Sequence, residues 1–308
     1  MGIDIASVKL LLCAKNTGAD FSNTLQLGRQ GMHTDVRSLG QALAVSRISA
    51  DAAMIAQNEY SEAFFSALGA TCISSLDLSD FEGATIIHDL NQPIPVGLSQ
   101  RFSVVHDGGT LEHVFNFPQA LKNCMEMVRV GGYFTQVIGA NNFMGHGFWQ
   151  ISPELIYRVF TPQNGFNVVA VLLHEVVPKG GWYLVSDPEA YQSQQIGRRS
   201  WELRVELCNN APTYILTIAR RTSVENIFAV APQQSNYVLA WRDARGPLTP
   251  LETPHRPFAA VHRLIASTIK TPIRKVQAAL KKKPSPFDRP YYCRLSEDEV
   301  ILGRFLKT

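Results

Sequence analysis

The stretch FSVVHDGGTLEHVFNFPQALKNCMEMVRVGGYFTQVIG, Phe102 to Gly139, decides how the chain is read. Ser103-Val-Val-His106 is a short apolar run that stops at Asp107-Gly108-Gly109, the pattern of a buried strand entering a tight turn. Val114, Leu121, Met125 and Val128 then fall near one face of a helix. Gly131-Gly132 predicts its end, and Tyr133–Ile138 resumes as a strand. Strand, helix and strand joined by short links form the unit of a parallel sheet, and ligands collect at the carboxyl ends of such strands. Asp107-Gly108-Gly109 lies at one of those ends.

Working outward, the same rhythm recurs. Thr24–Gly28 reads as a strand ending in glycine, and Cys72–Leu76 as one ending at Asp77. Ala84–His88 reads as one ending in Asp89-Leu90-Asn91. Asp51 predicts the cap of a helix over Ala52–Leu68 closed by Gly69, and Thr34–Ser49 suits a separate short helix. After Gly139 come a helix at Pro153–Phe160 and strands at Asn167–Val177 and Tyr214–Arg220. Between these strands, residues 178–212 are polar around Gly180-Gly181-Trp182-Tyr183 and read as a lid or substrate-facing insertion. Residues 222–308 lose the rhythm to eight prolines between Pro247 and Pro290, with amphipathic helices expected near Ala259–Ile269 and Ile273–Leu280. The organisation expected is one domain over residues 1–221, with 34–49 inserted, followed by a Pro-rich, basic extension over 222–308.

At 308 residues and 45% hydrophobic, the chain is long enough for one large buried core. No apolar run approaches the length of a membrane span; Val168–Leu173 stops at His174-Glu175. Val8–Ala14 lacks a cleavage site and reads as part of the domain rather than a signal peptide. Five scattered cysteines with no C-x-x-C pair point to a reducing cytoplasm and give no metal spacing. The net charge of +3 hides a tail, 270–308, with ten Lys/Arg against four Asp/Glu, including Lys281-Lys282-Lys283. No helix-turn-helix or aromatic-interleaved signature accompanies it, so a nucleic-acid partner is not expected.

Four strand ends carry the chemistry: Gly28-Arg29-Gln30, Asp77, Asp89-Leu90-Asn91 and Asp107-Gly108-Gly109. In a parallel sheet they line one crevice. An acidic strand end there can accept hydrogen bonds from both ribose hydroxyls, and a glycine turn lets backbone amides approach a ligand. Taken singly, an Asp after a strand is more often a cap or turn former. A G-x-G-x-x-G dinucleotide turn is absent from Leu27–His33, which argues against a nicotinamide-dependent oxidoreductase.

In this order the motifs resemble the class I, Rossmann-like S-adenosylmethionine-dependent methyltransferases. The residues that carry the resemblance are Leu25-Gln-Leu-Gly28, Ser74-Ser-Leu-Asp77, Asp89-Leu90-Asn91, Phe102–His113 and Met127–Phe134, within roughly residues 20–221. The resemblance implies a doubly wound, mostly parallel seven-stranded α/β sheet with helices on both faces and a closing antiparallel hairpin formed by Asn167–Val177 and Tyr214–Arg220. It implies S-adenosylmethionine as cofactor, with Asp77 and Leu78 at the ribose and Asp89 and Leu90 at the adenine. Gly28 and Arg29 would border the methionine end, and Asp107 and Gly108 the sulfonium. The family's first motif carries an acidic residue and more glycines; here Gln26 stands near the acidic position and Arg29 and Gln30 fill the loop.

Methyl transfer from a sulfonium is an in-line displacement that needs alignment and sometimes a base. Glu112, His113 and His146 are the candidates for that base. The loop Asn141–Gln150, with Phe148 and Trp149 as walls, is the candidate acceptor pocket. His33, His88 and His106 are weaker candidates, and no histidine spacing suggests a metal site. The expected activity is methyl transfer to a small molecule or saccharide. The alternative is a non-catalytic binding or scaffold module of the same fold, favoured by the degenerate glycine loop. The acceptor atom (N, O or C) and the oligomeric state stay open at this level.

Overall fold

In a computed structural model, residues 2–193, 204, 206–244, 287 and 291–307 are described. Five strands run parallel. In spatial order they are β5 (Ile86–Ile87), β4 (Cys72–Asp77), β2 (Asn23–Leu27), β6 (Phe102–Asp107) and β7 (Val128–Asn141). Next to β7 lies β10 (Thr213–Arg221), antiparallel to it and to β8 (Phe166–Glu175) on its other side. The last strand of this seven-strand set is thus inserted between the fifth and the sixth, unlike a dinucleotide-binding Rossmann sheet, whose sixth strand follows the fifth.

The sheet does not stop at the seven expected strands. β9 (Trp182–Val185) pairs with β8, and β11 (Tyr292–Leu295) pairs with β9, both antiparallel, giving nine strands in a mixed sheet among the described residues. The hairpin read from the sequence is therefore not the sheet's edge. Trp182 is buried, so part of the segment expected as a lid is sheet. The glycine-rich approach to Trp182 hid a strand only four residues long. From the tail, beyond α7 (Pro188–Ser193) and α8 (Ser235–Ala244), α9 (Glu297–Leu302) starts with a capping box between Ser296 and Glu299 and packs on α1 (Ile5–Asn16), where Lys9 pairs with Glu297 at 2.8 Å. The helices expected at 259–269 and 273–280, and the Lys281–Lys283 run, lie outside the described residues.

Period-two alternation divides the core. Leu25, Val105, Phe134, Ile138, Leu173 and Ile215 face α5 (Phe117–Met127) and α6 (Pro153–Val159). Val104, Tyr133, Val137, Leu172, Leu216 and Ile218 face α1, α2 (Val36–Val45), α4 (Glu62–Ala67) and α9. Nine of the twelve residues of α1 are buried, because it is covered by the sheet on one side and by α2 and α9 on the other. β6 is buried at all six positions, so its polar residues Ser103, His106 and Asp107 must find partners inside.

Two helix expectations change. Asp51 does cap a helix, but it ends at Gln57 (α3, Ala52–Gln57), and α4 begins at Glu62. The residues between are drawn off to β3 (Gly31–Met32), which also pairs with β1 (Gly2–Ile3): Met32 donates to the Glu59 carbonyl and Tyr60 bridges Gly31. α5 ends at Met127 rather than at Gly131-Gly132. Val128 is already extended, and the two glycines sit inside β7 where its register against β6 shifts. The third parallel strand covers only Ile86–Ile87 of the expected Ala84–His88. No described helix is long and apolar enough to cross a membrane.

Candidate functional site

Because β2, β4, β5 and β6 are parallel, their carboxyl ends share one edge of the sheet. At that edge a cavity of about 360 Å³ is lined by Asp77, Leu78, His88, Asp89, Leu90, Asn91, Thr110 and His113, over Leu76 and Val114. Seven residues singled out in the sequence, Asp77, Leu78, His88, Asp89, Leu90, Asn91 and His113, therefore meet around one space. Asp77 is half-buried at the end of β4, its carboxylate oriented by the Leu78 N–H at 2.6 Å. Asp89 accepts from the Asn91 backbone and side chain at 2.9 and 2.8 Å, and the backbone bond chiefly holds its carboxyl below the ordinary value. Leu90 is buried as the floor, while Leu78 is exposed at the rim.

Gly28, Arg29, Asp107 and Gly108 are not in that lining. Arg29 points at α4: its guanidinium pairs with Glu62 at 2.7 Å and lies 3.9 Å from the centre of the Tyr60 ring. Gln30 is fully buried. Its backbone N–H donates to Gln26 Oε1, and its side-chain amide donates to the Leu27 carbonyl. A Cβ on Gly108 would lie 2.6 Å from Gln30 Oε1, so the Gln30 side chain fills the space between the loops after β2 and β6. Ser61 also bonds Gln26 Oε1, at 2.9 Å. The residue near the family's acidic position thus anchors this chain's own loop.

His106, on the same buried face, bonds Thr135 Oγ1 at 2.9 Å beside the Phe65 ring. Burial pushes its pKa down to about 3. A histidine held neutral when folded, with an ordinary value near 6.5 when unfolded, binds fewer protons in the folded state. Its stability contribution is therefore lost as pH falls from about 6.5 towards 3. Thermal unfolding should show a loss of about 2 kcal/mol between roughly pH 6.5 and 5. His106→Asn, which keeps a group for Thr135, should flatten that limb; an unchanged slope would assign the acid sensitivity elsewhere.

The loop after β6 builds the rest of the site. Asp107 is buried and accepts from Thr110 N (2.8 Å), Leu111 N (3.3 Å) and Gln136 Nε2 (2.9 Å), which hold the turn closed. Gly109, at φ +94°, is in the left-handed region that a side chain rarely adopts. The turn delivers Glu112 and His113 on a single 3-10 turn, Leu111–His113. Glu112 is 2% exposed and its Oε2 has no partner among the described residues. Burial, then the nearby Asp107, pushes its pKa up to about 8. His113 is lowered, first by burial and then by His146.

The loop after β7 closes onto this turn. Phe148 and Trp149 donate their backbone N–H groups to the Glu112 carbonyl at 2.8 and 3.2 Å, and Trp149 Nε1 donates to the Val114 carbonyl at 3.0 Å. His146 Nε2 then stands 3.6 Å from Glu112 Oε1, and the His113 and His146 rings are 5.3 Å apart. All three candidate bases come together beside the cavity, which His113 lines, and Phe115, Met144 and Phe148 are exposed on the segments that carry them. What sequence reasoning missed is the fit of Gly147. A Cβ there would lie 2.9 Å from the Glu112 carbonyl oxygen, a contact that no local pattern records.

No family model matches the chain, and no curated protein matches it. Solved structures do. A protein of Bacillus halodurans C-125 assigned to the methyltransferases is 13% identical at a TM-score of 0.37, covering 72% of this chain and 100% of that one. The 1,6-didemethyltoxoflavin-N1-methyltransferase of Burkholderia thailandensis, solved with S-adenosylhomocysteine, is 12% identical at 0.37, covering 71% and 78%. The branched-chain polyamine synthase of Thermus thermophilus, solved with 5'-methylthioadenosine, is 16% identical at 0.34; the match covers 75% of this chain and 61% of that one.

Proposed function

We propose that the protein binds S-adenosylmethionine and transfers its methyl group to a small-molecule acceptor, saccharides included. The observation that carries this reading is the cavity at the carboxyl edge that joins Asp77 and Asp89 to His113, with Glu112 and His146 clustered on His113. Asp77 takes the ribose hydroxyls beside Leu78, and Asp89 and Leu90 take the adenine. When bound, the cofactor's sulfonium supplies an electrophilic methyl group. Glu112, His113 and His146 align the acceptor and handle its proton, and Phe148 and Trp149 wall the acceptor's side. Gly28, Asp107 and Gly108 shape the loops behind the cavity, and Arg29 braces α4. Residues 1–221 are the unit that carries the site. Five unpaired cysteines fit a reducing cytoplasm.

A specific observation favours a second reading. The buried Gln30 side chain fills the space between the loops after β2 and β6, which suits a fold that has given up the cofactor for a binding role. Calorimetric titration with S-adenosylhomocysteine, with NADH as control, separates the two. Binding of the first alone at about micromolar Kd, roughly −8 kcal/mol, is expected of the methyltransferase. No heat from a folded sample assigns the chain to the non-catalytic module.

A further inference from the structure

We propose that Glu112, His113 and His146 form a site for one divalent transition-metal ion of the zinc class beside the cavity. Each residue offers one ligand atom, and these atoms lie within 4.8 Å of one another. Metal–ligand bonds of about 2.0–2.2 Å require neighbouring ligand atoms roughly 3–4 Å apart. Both imidazoles are exposed and can turn inward by that difference, while Glu112 is held in place.

A second observation points to a ligand independently of the spacing. Glu112 is 2% exposed, yet its Oε2 has no partner among the described residues, and its Oε1 stands 3.6 Å from His146 Nε2. A buried carboxyl group that no protein group satisfies at one oxygen is costly, and a cation bound to the carboxylate offsets that cost. The donor set selects the ion. Two imidazole nitrogens disfavour magnesium and calcium, which take oxygen ligands, whereas two histidines and one glutamate suit zinc or its neighbours. Three protein ligands leave a fourth position open for water or an acceptor group.

The supporting shell is built as well. The Glu112 carbonyl takes the N–H groups of Phe148 and Trp149, which ties the loop bearing His146 to the turn bearing the other two ligands. Phe143 packs edge-on against the His146 ring at 5.6 Å. An ion there lowers the pKa of a bound hydroxyl, so an acceptor held on it loses its proton more readily than it would to a base alone. That use rests on the methyl-transfer reading; the binding of the ion does not.

The test is titration of chelator-stripped full-length protein with zinc by calorimetry and with cobalt(II) by visible absorption, without any nucleoside present. Wild type should bind one equivalent and give the d–d bands of histidine-ligated cobalt. Glu112→Gln and His146→Ala, checked for folding by circular dichroism, should each weaken binding by about tenfold or more. A folded wild type that binds no ion, or variants that bind as wild type does, would overturn the site. Variants that bind equally would place the ion on exposed thiols such as Cys72 or Cys293. S-adenosylhomocysteine titration of the stripped protein is read separately. Ion binding without nucleoside binding keeps this site and removes the methyltransferase reading.

Discussion

Asp77→Ala is expected to weaken S-adenosylhomocysteine binding by about a hundredfold while leaving the protein folded. A carboxylate that accepts from both hydroxyls of a ribose makes two charge-assisted hydrogen bonds, and losing them costs about 3 kcal/mol, or roughly two decades in Kd. Asp89 does not replace them, because its Oδ1 is held by Asn91 and its place in the proposed ligand orientation is at the adenine. The substitution is mild for the fold. Asp77 is half-buried, and among the described residues its side chain accepts only from the adjacent Leu78 N–H. The backbone carbonyl of Asp77 still takes the His88 N–H at 2.8 Å, so the β4–β5 edge persists. Calorimetry of the variant beside wild type, with matching circular dichroism, makes the comparison. Equal affinities would remove Asp77 from the ribose and with it the orientation proposed for the ligand.

The second large effect belongs to Gly147→Ala. The added carbon would stand 2.9 Å from the Glu112 carbonyl oxygen, closer than Cβ atoms come, and a tight 3.0 Å from Glu112 Cγ. The first of these is backbone in a turn held by Asp107, so the loop after β7 is the part that must lift. Lifting breaks the bonds from Phe148 and Trp149 to that carbonyl, a loss of about 2 kcal/mol. Amide exchange at Phe148 and Trp149 should then quicken by about thirtyfold. With an acceptor in hand, turnover should fall by about a hundredfold, since an ångström of misplacement at reacting groups has that consequence. Nucleoside affinity should stay within about twofold, because Asp77 ends β4 and Asp89 lies in the loop after β5, away from the loop after β7. Unchanged exchange at both amides would show that the loop tolerates the methyl group and is not locked by this contact.

Local patterning was enough for most of the strand and helix positions. Short runs ending in Asp or Gly marked β2, β4 and β6 to within a residue or two, since a stop residue at a strand's carboxyl end is a local signal. It failed where short elements depend on distant partners. β9 and β11 are each four residues long and pair with strands far away in sequence. The break between α3 and α4 exists only because residues 59–60 bond to β3.

For the site, the sequence by itself determined which residue types stand at the ends of parallel strands: Asp77, Asp89, Asp107 and the Glu112-His113 pair. Those ends follow from a period of two and a stop signal, both local properties. Only the tertiary structure decided what each one does. It turned Arg29 onto Glu62, buried Gln30 in the loop, spent Asp107 on its own turn, and brought His146 from a separate loop to 3.6 Å from Glu112. Hydrogen-bond partners and burial come from packing between segments far apart in the chain, and those set whether a polar side chain is free to meet a ligand.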